Sequence, residues 1–168
     1  MKRKSVLLGI SFIILSIVFP LTTSLAKPKW FIEYQCEIID FEWTGIHSSG
    51  CWLYQSTFVG VVGGPNIVDG TVEGVDCGMH DGVTAYMDVY LTITDKDGDQ
   101  IVFNDVGLCT TKNPGQAVFD NVECTVIEAT GKFSDLVGQA FYKEGSLTDF
   151  SDDPAGGYIH GKLYLSNN

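Results

Sequence analysis

Aspartates at alternate positions are the first residues in this chain whose spacing could do chemistry. Asp95-Lys96-Asp97-Gly98-Asp99 offers carboxylates at the first, third and fifth places of an oxygen-ligand calcium loop. A helix-loop-helix site also needs a glycine at the sixth place and a bidentate glutamate at the twelfth, where this chain has Gln100 and Val106. The stretch therefore reads as a hairpin turn. Asp95, Asp97 and Asp99 are left as the residual metal candidates, and neither a metal nor another cofactor is expected. The three histidines, His47, His80 and His160, are scattered. His80 and Asp81 are adjacent, but neighbours on a strand point to opposite faces and do not make a working pair. Cys77 near His80 would serve as a thiol catalyst only if it escaped oxidation. No G-x-S-x-G nucleophile elbow is present. Glu33, Glu37, Glu123 and Glu128 could include a buried carboxylate pair inside a barrel, but pattern alone nominates none of them. Catalytic residues therefore stay unassigned.

Aromatic residues form the other conspicuous group. Trp30, Phe31, Tyr34, Phe41, Trp43, Trp52 and Tyr54 fall within one short stretch that contains all three tryptophans. They can act as stacking platforms for sugars or plug one end of a barrel. Trp43 and Trp52 bracket Gly45-Ile46-His47-Ser48-Ser49-Gly50, which reads as a loop. These two are the expected exposed pair and the candidate ligand-binding residues.

The elements that must position these residues are strands. Helix signals are almost absent, and the glycine-free stretches are rich in Val, Ile, Thr, Phe and Tyr, which suit a pleated surface. Val83 to Thr94 alternates most clearly, with Val83, Ala85, Met87, Val89, Leu91 and Ile93 on one face. Asp97-Gly98 then predicts a two-residue hairpin turn with both residues at positive φ, and Pro114-Gly115 a second turn. Further strands are predicted over Lys29 to Ile39, Cys51 to Val62, Thr71 to Cys77, Gln100 to Thr111, Gln116 to Ala129, Leu136 to Lys143 and Tyr158 to Leu165. No linker or repeat divides them. The prediction is a single all-β domain over 27–168, about eight antiparallel strands in meander order. Such a meander closes most naturally into a barrel, with a two-sheet sandwich as the alternative.

Residues 1–26 differ in kind. Lys2, Arg3 and Lys4 precede an apolar run from Val6 to Phe19, Pro20 ends it, and Ser24-Leu25-Ala26 places small residues where a signal peptidase reads. This is the order of a secretory signal peptide, too short in its apolar part to span a bilayer comfortably. A released extracellular protein beginning at Lys27 is expected. Without the signal, seven basic residues face 21 acidic ones. An acidic surface of that kind excludes nucleic acid and anionic membrane as principal partners. The aspartates, many beside glycines, read as solvated turns. Five cysteines, Cys36, Cys51, Cys77, Cys109 and Cys124, lie beyond the signal with no C-x-x-C among them. Outside the cell two disulfides are expected, with one thiol left over and fifteen arrangements open.

One segment resembles a known family. Ala129-Thr130-Gly131-Lys132-Phe133, followed by Gly138-Gln139-Ala140, resembles the T-G-x-F-x-x-x-x-G-x-A signature of the allene oxide cyclase and dirigent-like barrels. The glycine pair that precedes it in that family is replaced by Glu128 and Ala129. The resemblance implies a barrel in which Gly131 kinks the chain, Phe133 fills an end and Gly138 allows backbones to approach. It also implies an interior that holds an apolar small molecule, but none of the family's catalytic residues can be placed here. Three function classes follow: a binding module for an apolar or aromatic small molecule, an extracellular structural or interaction domain that contacts carbohydrate or forms oligomers, and a non-hydrolytic enzyme of cyclase or isomerase type. The first is favoured.

Overall fold

The computed structural model describes residues 30–149 and 155–165; the signal segment at 1–26 lies outside them. Eight antiparallel strands run in meander order: β1 (Phe31–Ile46), β2 (Trp52–Gly63), β3 (Gly70–His80), β4 (Thr84–Thr94), β5 (Gln100–Asn113), β6 (Gln116–Ala129), β7 (Ala140–Thr148) and β8 (Tyr158–Leu165). They close into a barrel because β1 pairs with both β2 and β8, for example Tyr34 opposite Val62 on one side and Gly161 on the other. Closure leaves no free sheet edge, the reason a long meander prefers a barrel to an open sheet.

Period-two patterning does the sorting. On β4, Met87, Val89, Leu91 and Ile93 are buried while Tyr86 and Tyr90 face outward. Three details differ from the sequence expectations. β1 continues past Ile39 to Ile46, with register shifts between Ile38 and Asp40 and between Trp43 and Gly45 that let it bend around the barrel. The β4–β5 connection is wider than a two-residue turn: only Gly98 takes a positive φ (89°), and Asp95 N–H and Gly98 N–H donate to the carbonyls of Asp99 and Asp95. β7 starts at Ala140 because Gly131–Leu136 coils into a 3-10 turn, η1.

The two barrel ends differ. The end holding the β4–β5 hairpin and η1 is packed solid. Phe133 and Leu136 of η1 are buried in the same apolar cluster as Phe103, Phe141, Ile101 and Val126, with Trp30 edge-on to Phe133 at 5.9 Å. Gly131 has φ +52°, and a Cβ there would strike the Asp99 carboxylate. The opposite end, which carries the β1–β2 and β3–β4 loops, is open.

All five cysteines are free thiols, which corrects the expected pairing of Cys36, Cys51, Cys77, Cys109 and Cys124. Strand alternation separates them. Cys36, Cys109 and Cys124 point inward from different strands, Cys77 points outward, and Cys51 sits beside the β1–β2 loop. Burial pushes the Cys36 and Cys109 thiols up to about 12, so both stay protonated and inert.

Candidate functional site

The open half of the barrel encloses a cavity of about 330 Å³. Its volume has a local cause in the sequence. Tyr34, Tyr54, Phe58 and Phe119 each lie directly opposite a glycine on the next strand: Gly161, Gly78, Gly74 and Gly145. A Cβ on any of those glycines would fall within 2.6 Å of the facing ring. The rings therefore lie flat against the wall instead of filling the centre, an aromatic–glycine cross-strand pairing. Ile38, Met87, Val89, Ala117 and Leu147 complete an apolar lining.

Polar side chains converge partway down. Ser56, Asp76, Val89, Asp105 and Cys124 are successive cross-strand partners on β2 to β6, so inward-pointing Ser56, Asp76 and Asp105 lie in one register row. Lys143 reaches in from β7, fully enclosed, and forms an ion pair with the buried Asp105. Its Nζ also lies 5.2 Å from the Phe119 ring centroid. Tyr54 donates its hydroxyl hydrogen to Asp76 Oδ2 at 3.1 Å. Asp76 Oδ1 is buried and has no hydrogen-bond partner of proper geometry; the Asp88 backbone lies near enough only to favour the charged form slightly.

Burial sets the titration behaviour of this floor. Removal from water pushes the Asp76 carboxyl up to about 6, against the Tyr54 hydrogen bond and the positive field of Lys143. Removal from water also draws the Lys143 ammonium down to about 8, while the neighbouring Asp76 charge and the paired Asp105 carboxylate work the other way. Tyr54 is raised above the ordinary tyrosine range by burial and by Asp76. A carboxyl and an amine brought toward neutrality in one apolar chamber can bind a polar head group or exchange a proton with it.

The mouth is aromatic. Tyr54 stacks on Phe41 with centroids 5.7 Å apart, Phe41 meets Trp43 edge-on at 5.0 Å, and Trp43 meets Trp52 at 6.0 Å with the rings inclined by 62°. His80 lies nearly parallel to Trp52 at 6.5 Å. Trp43 and Trp52, nominated from sequence, thus come together at the entrance and stay half exposed. Trp30, from the same aromatic stretch, sits at the opposite, packed end.

The remaining nominated residues lie elsewhere. His80 Nδ1 accepts the Gly82 N–H, while Asp81 Oδ1 accepts the N–H groups of Val83 and Thr84 and is lowered by those bonds, so the two do not pair. His160 bonds Glu33 on the outer wall and His47 bonds Ser49 in the β1–β2 loop. Glu37, Glu123 and Glu128 are also on the outer wall. The carboxylates inside are Asp76 and Asp105, not glutamates and not solvated turn residues. Cys77 points away from the chamber, and partial loss of hydration together with the adjacent charges of Asp76 and Asp88 raises its thiol. Asp95 Oδ1 accepts from the N–H groups of Asp97 and Asp99, and its other oxygen meets the Lys132 ammonium, which also lies 3.9 Å from Asp97. Among the described residues no three of His, Cys, Asp and Glu are grouped to hold a metal ion. Asp76, Asp105 and Lys143 were readable in principle. Each stands on the inward face of a strand, Asp105 in step with Ile101 and Phe103, and Lys143 with Phe141 and Leu147.

Neither a protein-family model nor a curated protein sequence matches the chain. Its structure is similar to the crystal structure of a conserved protein of unknown function from Rhodopseudomonas palustris, with a TM-score of 0.57 and 17% sequence identity. That likeness spans 83% of this chain and 97% of the other. At such identity it concerns the fold alone.

Proposed function

We propose that this chain is a secreted binding module that holds one apolar or aromatic small molecule inside its barrel. The observation that carries the reading is the cavity: about 330 Å³, walled by aliphatic and aromatic side chains, with a few polar groups converging at one depth. That size and lining suit a compact ring system entering past Trp43 and Trp52. The superfamily that residues 129–140 resemble, whose barrels hold apolar molecules, supports the same reading. Secretion rests on the basic, apolar and small-residue order of residues 1–26, and the exported product is expected to begin at Lys27 on N-terminal sequencing.

Replacing both Trp43 and Trp52 with alanine tests the binding reading. A neutral naphthylamine dye titrated into the protein should lose most of its affinity, while the melting temperature shifts little because both rings are half exposed. A stable double variant that binds the dye as before would sink the reading. An open sugar platform fits less well, since two rings inclined by 62° present no flat face. A second reading, proton-transfer catalysis of cyclase or isomerase type, is favoured by one observation: Asp76 at about 6 and Lys143 at about 8 share the chamber.

A further inference from the structure

The chamber floor is short of one positive charge. Two carboxylates, Asp76 and Asp105, face a single ammonium, and that ammonium is committed: Lys143 meets Asp105 directly. Asp76 is left with the Tyr54 hydroxyl as its one well-formed donor, and its Oδ1 is buried without a partner. An ionised carboxylate can accept about four hydrogen bonds, and buried polar atoms are nearly always satisfied. A neutral hydroxyl would supply a donor but leave the charge, whereas an ammonium supplies both. Resting on the reading of this cavity as a ligand site, we infer that the ligand is a protonated amine on an aromatic or apolar body, its nitrogen on the Asp76 carboxylate.

The walls suit such a molecule. Tyr54, which touches Asp76, continues through Phe41 and Trp43 to Trp52 as a line of contacting rings. Ring faces attract cations and also pack against an apolar body. The whole chain carries a net charge of −11, a field that draws cations toward the mouth and repels anions. An anionic ligand would have to take Lys143 from Asp105 and leave that carboxylate buried alone.

Three probes that share a phenethyl body separate the possibilities: phenethylamine, phenethyl alcohol and hydrocinnamate, each titrated calorimetrically into the purified protein at neutral pH. The amine should bind about tenfold tighter than the alcohol, the effect of one charge-assisted hydrogen bond. Asp76→Asn should bring the amine down to the level of the alcohol and leave the alcohol unchanged. Should that variant fold poorly, the unaltered protein gives an independent reading. Amine affinity should fall about tenfold from pH 7 to pH 5 as the Asp76 carboxyl takes up its proton, with the alcohol flat. The titratable and charged groups around Asp76 are Tyr54 on β2, Asp105 and Cys109 on β5, Cys124 on β6 and Lys143 on β7, with Asp88 beside it on β4 and His80 at the mouth. Repeating the series in His80→Gln removes the imidazole as a source of the pH effect. Equal binding of amine and alcohol, unmoved by pH and by Asp76→Asn, would overturn the amine assignment while the cavity reading stands. Tightest binding by hydrocinnamate would overturn it in favour of Lys143. Binding of none of the three would overturn the assignment and the cavity reading together.

Discussion

Replacing Asp76 with asparagine should change how stability responds to pH, with a sign opposite to that of a surface aspartate. Burial raises the folded-state carboxyl from 3.8 to about 6. Asp76 keeps some surface on the cavity but is sunk away from bulk solvent, so this shift reflects lost hydration rather than a screened surface effect. Between those two values the folded protein holds a proton that the unfolded chain has released. The folded state therefore binds more protons, and stability falls as pH rises through the window from about 4 to about 6. The two values lie about 2 pH units apart, and each unit corresponds to about 1.4 kcal/mol, so the loss is about 3 kcal/mol. Asparagine does not titrate, and its carbonyl can still accept the Tyr54 hydroxyl. Urea unfolding of both proteins at pH 4 and pH 7 isolates the carboxyl, because every other titrating group is shared. The stability of the unaltered protein minus that of Asp76→Asn should be about 2–2.5 kcal/mol more favourable at pH 4 than at pH 7, since part of the effect falls below pH 4. A difference that stays constant, or that grows toward pH 7, would refute the reasoning. It would mean that Lys143 and Tyr54 hold the carboxylate ionised despite its burial.

Lys143→Met should destabilise the fold by about 3–5 kcal/mol, because it leaves Asp105 charged, buried and unpaired; adding Asp105→Leu should recover much of that in the same denaturant titration. Gly74→Ala places a Cβ 2.3 Å from the Phe58 ring. The ring must swing off the wall into the cavity and the backbone must give at the Tyr90 carbonyl, 2.7 Å from the same Cβ, at a cost of about 1–3 kcal/mol, and calorimetry should show ligand binding weakened beyond what the loss of stability explains.

Local signals account for much of what was legible. Alternation along β4 and the Pro114-Gly115 turn mark strands and connections because a strand sends neighbouring side chains to opposite faces, and a tight turn demands particular φ values. The meander order and the barrel followed from counting such segments. Where competing forces acted at longer range, the reading failed. The 3-10 turn over Gly131–Leu136 overlaps the start of the strand predicted from Leu136, because its reason for coiling is the barrel end that Phe133 and Leu136 must cover. The cysteines were expected to pair from compartment alone, yet bond formation depends on Cα positions that the barrel sets.

Residue types and their alternation alone carried the class of backbone, the Pro114-Gly115 turn and the exposure of Trp43 and Trp52 on either side of a loop. Those features depend on neighbours a few residues apart. Barrel closure and register, which no local pattern carries, seal one end and leave the other hollow, and they bring Asp76 and Lys143 into one chamber with Lys143 paired to the buried Asp105. Strand register does this, by setting glycines opposite rings and carboxylates beside an ammonium drawn from strands far apart in the chain. The chemistry of the floor, a carboxyl and an amine both displaced toward neutrality, exists only once closure has excluded water from it.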